Sequence, residues 1–159
     1  MLYGKILYHS IYGYFTILSD DYYIRKIEFG KRRPSGDIVW QEDHPLLQQA
    51  AWQMMEYFDG RRKIFSLPLA PDGTEFQKMV WTSLQQIPYG KTVSYGELAK
   101  SLERPNAARA VGGACHQNPI VIVVPWHRVI GSSGKLTGFG GGIELKKALL
   151  QLETFNNSV

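Results

Sequence analysis

Residues 97–117 read ELAKSLERPNAARAVGGACHQ, a short helical pattern, a turn and a second helical pattern. Pro105 favours reversal of the chain, and Asn106 is a residue type that caps helix N-termini. In the second pattern, Ala107, Val111 and Ala114 recur at the spacing of one helix face, which we expect to pack on a core. The stretch therefore predicts two helices joined by a tight turn, the pattern of a helix-turn-helix.

A different face of the second helix carries Arg109, Gly112, Gly113 and His116. A glycine inside a helix costs about 1 kcal/mol relative to alanine, so two in succession require a reason. Close approach of another backbone is such a reason, and either a DNA groove or a neighbouring helix would supply it. The residues alone do not distinguish between a DNA groove and a neighbouring helix. A long cationic side chain above a bare surface, as at Arg109, is also suited to entering a groove.

The segment NPIVIVVPWHRVIG, residues 118–131, follows directly. Its apolar part predicts a buried strand over residues 120–124 that ends abruptly at Pro125. His127 is a candidate general base, and Glu153 on the last predicted helix is a candidate to orient it. The simpler interpretation, a core histidine bonded to a carboxylate, is favoured by the residues alone.

Composition narrows the classes of function. The chain has 159 residues, a net charge of +4 and a single cysteine, Cys115, which excludes an intrachain disulfide and a cysteine-rich metal site. The four histidines follow no metal-binding spacing, so we expect neither a metal nor a cofactor. The apolar runs are too short to span a membrane, and the N-terminus has no signal-peptide pattern. We therefore expect a protein of the cytoplasm, nucleoid or nucleus.

The order of patterns predicts two domains. Residues 1–70 read as about three strands followed by a helix over HPLLQQAAWQMMEYFDG, which Gly60 would end. A linker with two prolines leads to residues 71–159. There, Thr74 would cap a helix, and IELKKALLQLE would form a closing amphipathic helix.

Residues 73–153 resemble the C-terminal domain of the O6-alkylguanine-DNA alkyltransferases. The resemblance rests on IPYGKTVSYGELA, RPNAARAVG, NP with PWHRVIG, and GGIELKKALLQLE, in that order. The first part resembles that family's N-terminal domain less specifically. The implied fold is α+β, with a small N-terminal α/β (ribonuclease-H-like) domain followed by a winged-helix or helix-turn-helix-like C-terminal domain.

The resemblance also implies roles for residues. Arg109 would enter the duplex and replace the extruded nucleotide, Tyr95 would help rotate the 3′ phosphate, and Asn118 would hold the turn after the recognition helix. The implied DNA contacts are Tyr95, Arg104, Ala107, Ala108, Arg109, Gly112, Gly113 and Ser132. The flipped base would enter a pocket. The implied pocket residues are Tyr95, Cys115, Asn118, Trp126, Val129, Phe139 and Gly140.

In that family the residue between the proline and the histidine is the cysteine that accepts the alkyl group, whereas here it is Trp126. An indole cannot supply the thiolate-like nucleophile that this transfer needs. A tryptophan there resembles the alkyltransferase-like proteins, which bind O6-alkylguanine without repairing it. We therefore expect a non-enzymatic, monomeric reader of O6-alkylguanine in double-stranded DNA that flags damage for nucleotide excision repair proteins, with His127 and Glu153 as a residual relay.

Three alternatives remain open. The chain could transfer the alkyl group to Cys115, although free cysteines are usually buried and inert and His116 is poorly placed to activate this one. It could be a transferase that has lost its acceptor cysteine, naturally or by engineering. It could also be a plain helix-turn-helix DNA binder without lesion preference.

Overall fold

The computed structural model describes residues 1–132, 134, 136, 138–139 and 141–157. The chain divides into two compact units. One comprises Met1–Asp72 with Pro119–Val121, and the other comprises Gly73–Asn118 with Ile122–Val159. The first unit combines a sheet with a helix and the second is mostly helical, so the expected α+β class is confirmed. The expected boundary between residues 70 and 71 stays a prediction.

The first unit is built on a sheet of four strands, β1 (Leu2–His9), β2 (Gly13–Ser19), β3 (Ile24–Phe29) and β4 (Ile38–Trp40). The strand order is β3-β2-β1-β4. The first three strands form the expected antiparallel meander, and β4 runs parallel to β1. Strand β4 was not expected, because its three residues are too few to show an alternating pattern.

Helix α1 (Pro45–Phe58) packs on one face of this sheet. It begins at His44, whose ring accepts a hydrogen bond from the Leu46 amide, and Pro45 fits the first turn because its missing N–H needs no partner there. The helix ends as expected before Gly60, which has a φ of 75°. Phe58 packs against Phe15 of β2, with ring centroids 5.2 Å apart.

The second unit consists of helices α2 (Glu75–Leu84), α3 (Tyr95–Ser101), α4 (Ala108–His116) and α5 (Ile143–Asn157), with the two-residue strands β5 (Val93–Ser94) and β6 (Val129–Ile130) paired in parallel. Thr74 caps α2 as expected, with Gln77 completing a capping box. The buried Trp81 indole of α2 donates a 2.8 Å hydrogen bond to the carbonyl oxygen of Ala114, which joins α2 to α4.

Two local expectations are wrong. Asn106 is not the cap of α4: the N-cap is the next residue, Ala107, which forms no side-chain capping bond among the described residues. Residues 120–124 are not a strand, because Ile120 makes only an isolated bridge to Ile27 and Ile122 has a φ of 71°, which breaks extended geometry. None of the described helices combines the length and apolarity needed to cross a membrane.

Candidate functional site

The segment around Trp126 is a single 3-10 turn, Trp126–Arg128, that follows Pro125 and leads into β6. All three of its side chains are buried. Because a 3-10 turn points successive side chains about 120° apart, Trp126 and His127 face different neighbours. The turn therefore contributes side chains to two separate clusters.

The first cluster surrounds the Trp126 indole, which is only 5% exposed. Its N–H donates a 2.9 Å hydrogen bond to the Tyr95 hydroxyl at the start of α3. Its ring lies 5.1 Å from that of Phe139 and meets the His116 ring edge-on at 5.8 Å. Three of the expected pocket residues, Tyr95, Trp126 and Phe139, are thus brought together.

Cys115 and Lys146 belong to the same part of the unit. Cys115 is fully buried on α4, and burial raises the pKa of its thiol to about 12, against the opposing effect of the Lys146 charge. Lys146 is also fully buried, and burial lowers the pKa of its amine to about 8. Its Nζ donates a 2.6 Å hydrogen bond to the Val129 carbonyl oxygen and lies 5.9 Å from the centroid of the Phe139 ring.

Lys146 is a buried residue of this cluster that the sequence patterns described above did not predict. The available signal was the spacing of the closing helix, where Lys146, Leu149 and Glu153 lie on one face. An apolar stripe that contains two ionisable residues indicates that both have partners in the interior, since a buried charge without one is costly.

The remaining expected pocket residues are partly accounted for. Asn118 is buried, and its side-chain amide donates a 2.8 Å hydrogen bond to the Val124 carbonyl oxygen, six residues later in the chain. The Val129 backbone faces Lys146, as described above. Gly140 lies outside the described residues.

The second cluster is a buried ionic network around Glu153. His127 Nε2 lies 2.6 Å from one Glu153 oxygen, and the Arg128 guanidinium donates to both Glu153 oxygens at 2.8 and 3.1 Å. The amide of Gly90, whose φ is 79°, donates to the same carboxylate at 3.1 Å, and Arg128 Nη1 donates to the Ile87 carbonyl oxygen at 2.7 Å. The predicted pairing of His127 with Glu153 is present, together with an arginine that the sequence analysis did not include.

Electrostatics in this network follow from burial and hydrogen bonding. Burial opposes ionisation of Glu153, but hydrogen bonds from His127 and Arg128 outweigh it and lower the pKa of the carboxyl to about 2. Burial also opposes ionisation of His127, and for an imidazole this lowers the pKa. An ionised carboxylate can only accept hydrogen bonds, so in the 2.6 Å contact His127 Nε2 is the donor and Glu153 the acceptor.

The expected DNA contacts lie largely on α4 and the residues before it. Arg109 is exposed in the first turn, and in the described part of the chain no carboxylate pairs with it. A Cβ added at Gly113 would meet nothing within 4 Å, and one at Gly112 would make only ordinary contact with the Tyr95 ring at 3.8 Å. Helix packing within the described residues therefore does not explain the two glycines.

The other expected contacts flank this surface. Arg104 is exposed, with its guanidinium 5.8 Å from the Phe76 ring centroid. Ala107 and Ala108 form the half-exposed start of α4, and Ser132 is exposed after β6. The described residues include no cluster of three or more His, Cys, Asp or Glu side chains that could hold a metal ion.

Two family models match the sequence. Residues 75–155 match the DNA binding domain of 6-O-methylguanine DNA methyltransferase, and residues 1–71 match its ribonuclease-like domain. The expected fold, an N-terminal sheet-and-helix domain followed by a helical DNA-binding domain, is therefore confirmed.

Individual relatives cover most of the chain. A methylated-DNA–protein-cysteine methyltransferase of Methanosarcina acetivorans is 44% identical over 149 residues, spanning 92% of this chain and 96% of that protein. The enzyme of the same name from Haemophilus influenzae is 44% identical over 154 residues, spanning 92% and 86%. The structure of Mycobacterium tuberculosis OGT in complex with DNA superposes with a TM-score of 0.89 at 41% identity, covering 97% of this chain and 94% of that one.

These relatives overturn one expectation. The interpretation of the chain as a non-enzymatic reader that flags damage is wrong, because relatives at this identity are named as cysteine methyltransferases. The names of these relatives agree better with the alternative given above, transfer of the alkyl group to Cys115. The buried thiol of Cys115 lies where the Lys146 charge acts on it.

Proposed function

This chain belongs to the 6-O-methylguanine DNA methyltransferase family, and from that membership we propose that it transfers a methyl group from O6 of guanine in DNA to its own Cys115. One observation carries the choice of acceptor: Cys115 is the single cysteine among the 159 residues. A protein-cysteine methyltransferase with this sequence has no other thiol to use.

The chemistry of the transfer is a simple substitution. The Cys115 sulfur attacks the methyl carbon, a carbon–sulfur bond forms, and the bond between that carbon and guanine O6 breaks. The proton lost from the thiol restores the N–H of guanine, so the products are S-methylcysteine and unmodified guanine. Each molecule of protein would act once, because the chain has no second thiol to receive a further methyl group.

The surroundings of Cys115 both support and limit this reaction. A thiolate is the reactive form, and the buried Lys146 cation favours it. A thiol with a pKa of about 12 is nevertheless almost wholly protonated at neutral pH. We propose that entry of the base displaces the Trp126 and Phe139 rings, and that the Lys146 cation stabilises the thiolate as the thiol proton passes to the guanine ring. Trp126 then lines the pocket and takes no methyl group.

The proposed partner is double-stranded DNA containing O6-alkylguanine. Arg109 would enter the duplex, Tyr95 would contact the phosphate next to the flipped nucleotide, and the bare surface at Gly112 and Gly113 would admit the DNA backbone. The complex of the similar Mycobacterium tuberculosis protein with DNA supports this partner. All these residues lie in the second unit, and we propose that the protein works as a monomer wherever the cell keeps its DNA.

Intact-mass measurement tests the proposal. The protein is incubated with a duplex containing a single O6-methylguanine, and with the same duplex unmodified as the control. We expect a mass increase of one methyl group with the modified duplex alone, mapped to Cys115 by peptide analysis, with a matching loss of the methyl group from the DNA.

The variant Cys115→Ala should bind the modified duplex and gain no mass. Circular dichroism establishes that this variant is folded, and Cys115→Ser serves as a second variant with a side chain of nearly the same size. A protein that binds the modified duplex but never gains a methyl group would overturn the proposal, as would a methyl group that still appears on Cys115→Ala.

A further inference from the structure

The sheet of the first unit has a second face, opposite the one covered by α1. The strand register places Gly4, Ile6 and Tyr8 of β1 on this face, with Tyr14 of β2 directly across from Tyr8. Trp40 of β4 lies beside Gly4. We define the open face by five residues that carry its chemistry: Tyr8, Tyr14, Lys31, Arg33 and Trp40.

Aromatic rings are presented to solvent on the open face. Tyr8 and Tyr14 form a cross-strand pair with ring centroids 4.7 Å apart, yet they are 55% and 45% exposed. The Trp40 indole lies against Gly4 of β1, since a Cβ added at Gly4 would come within 2.6 Å of the ring. Glycine at position 4 is therefore needed to keep this ring on the sheet.

A run of three cations, Lys31, Arg32 and Arg33, is fixed against the same face. The Thr16 hydroxyl, buried on β2, donates to the Gly30 carbonyl oxygen and accepts from the Arg32 amide, both at 2.8 Å. These bonds hold the segment onto the sheet, so its backbone is ordered before any ligand arrives.

The anchored segment places its charges over the rings. Lys31 Nζ lies 5.4 Å from the Tyr14 ring centroid, and the Arg33 guanidinium carbon lies 4.4 Å from that of Trp40. Glu28 on β3 is within 3.7 Å of Lys26, which offsets its charge. The acidic residues Asp37 and Glu42 flank β4 in sequence, and residues 31–33 carry three positive charges in succession.

We propose that the open face binds single-stranded DNA, with bases stacked on Tyr8 and Tyr14 and phosphates paired with Lys31, Arg32 and Arg33. Exposed aromatic rings beside fixed cations are the combination that binds single strands, because every base offers a stacking surface and every nucleotide a negative charge. A duplex would present phosphates to the cations but would keep its bases away from the rings. The proposal is independent of methyl transfer and of the DNA surface on α4.

Binding of a labelled oligothymidylate tests the proposal, because this strand contains no guanine and forms no duplex. We expect Tyr14→Ala to weaken binding about tenfold, the usual loss for one stacked base. The matched control is Tyr22→Ala, which removes a tyrosine that is 77% exposed in the turn between β2 and β3. It should bind as the wild type does.

The charges are tested by replacing Lys31, Arg32 and Arg33 with alanine together. Binding should weaken, and the slope of log affinity against log salt should fall by roughly 2, as expected for three lost phosphate contacts. The control replaces three exposed lysines of the second unit, Lys78, Lys91 and Lys147, with alanine. It removes the same charge and should change the slope much less.

Photocrosslinking to an oligonucleotide carrying 5-iododeoxyuridine locates the site directly. We expect crosslinked peptides that contain Tyr8, Tyr14 or Trp40, both in the wild type and in Arg109→Ala. Crosslinks confined to the second unit, or binding lost in Arg109→Ala and kept in Tyr14→Ala, would overturn the proposal. If heparin displaces the oligonucleotide completely and Tyr14→Ala does not change its binding, the surface binds polyanions by charge alone. That result would also contradict the proposal.

Discussion

The indole N–H of Trp126 donates a 2.9 Å hydrogen bond to the hydroxyl oxygen of Tyr95, a residue 31 positions earlier in the chain. The bond ties the turn after Pro125 to the start of α3, two segments that each supply a residue of the proposed pocket. Since the indole is almost fully buried, this contact also determines what an entering base must displace.

A double-mutant cycle measures the Trp126–Tyr95 bond. Urea unfolding of Tyr95→Phe, Trp126→Phe and the double variant should give a coupling energy of about 1 kcal/mol, the usual net value for one hydrogen bond. Additive effects of the two substitutions would show that the bond contributes nothing to stability.

Glu153→Gln tests the buried network. Replacing the carboxylate leaves Arg128 as a buried cation with a weaker partner, and we expect the free energy of unfolding to fall by about 3 kcal/mol. Glu144→Gln, on the exposed side of the same helix, is the matched control and should change it by less than about 0.5 kcal/mol. Equal losses from the two variants in denaturant unfolding would contradict a stabilising role for the network.

The same carboxyl predicts a pH dependence of stability. The pKa of Glu153 falls from an ordinary 4.5 to about 2 in the folded protein, so its contribution is complete above pH 4.5 and is lost as the pH falls toward 2. The shift corresponds to roughly 3 kcal/mol. The free energy of unfolding should depend more steeply on pH across this range in the wild type than in Glu153→Gln. An equal pH dependence in the two proteins would rule out Glu153 as its origin.

Lys146→Met tests the electrostatic support of Cys115. The Lys146 cation lowers the pKa of the thiol relative to burial alone. Its removal should therefore slow alkylation of Cys115 by iodoacetamide severalfold near pH 7, where the amine, with a pKa of about 8, is charged. In the wild type, the rate should rise with pH between roughly pH 7 and 9, but by less than tenfold per pH unit, because Lys146 loses its charge over the same range. Lys147→Met, the exposed neighbour, is the control, and equal rates in the two variants would exclude the effect.

Gly113→Ala is expected to change stability and DNA binding in opposite directions. Alanine favours a helix over glycine by about 1 kcal/mol, and the added Cβ meets open space, so the variant should be more stable to denaturant. If DNA approaches this surface, its affinity for the methylated duplex should fall. Gln117→Ala, an exposed substitution at the end of the same helix, should leave affinity unchanged. Unimpaired binding by Gly113→Ala would place the DNA elsewhere.

Several local features of the fold were predictable from neighbouring residues. The capping box of Thr74 with Gln77, the end of α1 before Gly60 and the spacing of the closing helix all follow from interactions within a few positions of the chain. The predicted strand over residues 120–124 failed because its apolar composition says nothing about the φ of Ile122. That angle is imposed by the structure around it.

By itself, the sequence determined the class of fold, the resemblance to the alkyltransferases, the pairing of His127 with Glu153 and the presence of one thiol. These depend on residue type and order, which are read directly from the chain. Only the tertiary structure decided that Lys146 lies beside the Val129 backbone and acts on Cys115, that Arg128 shares the Glu153 carboxylate, and that Tyr95 receives the Trp126 hydrogen bond. Such contacts join residues 17 to 31 positions apart, and burial makes them strong because the interior screens charges and hydrogen bonds far less than water does.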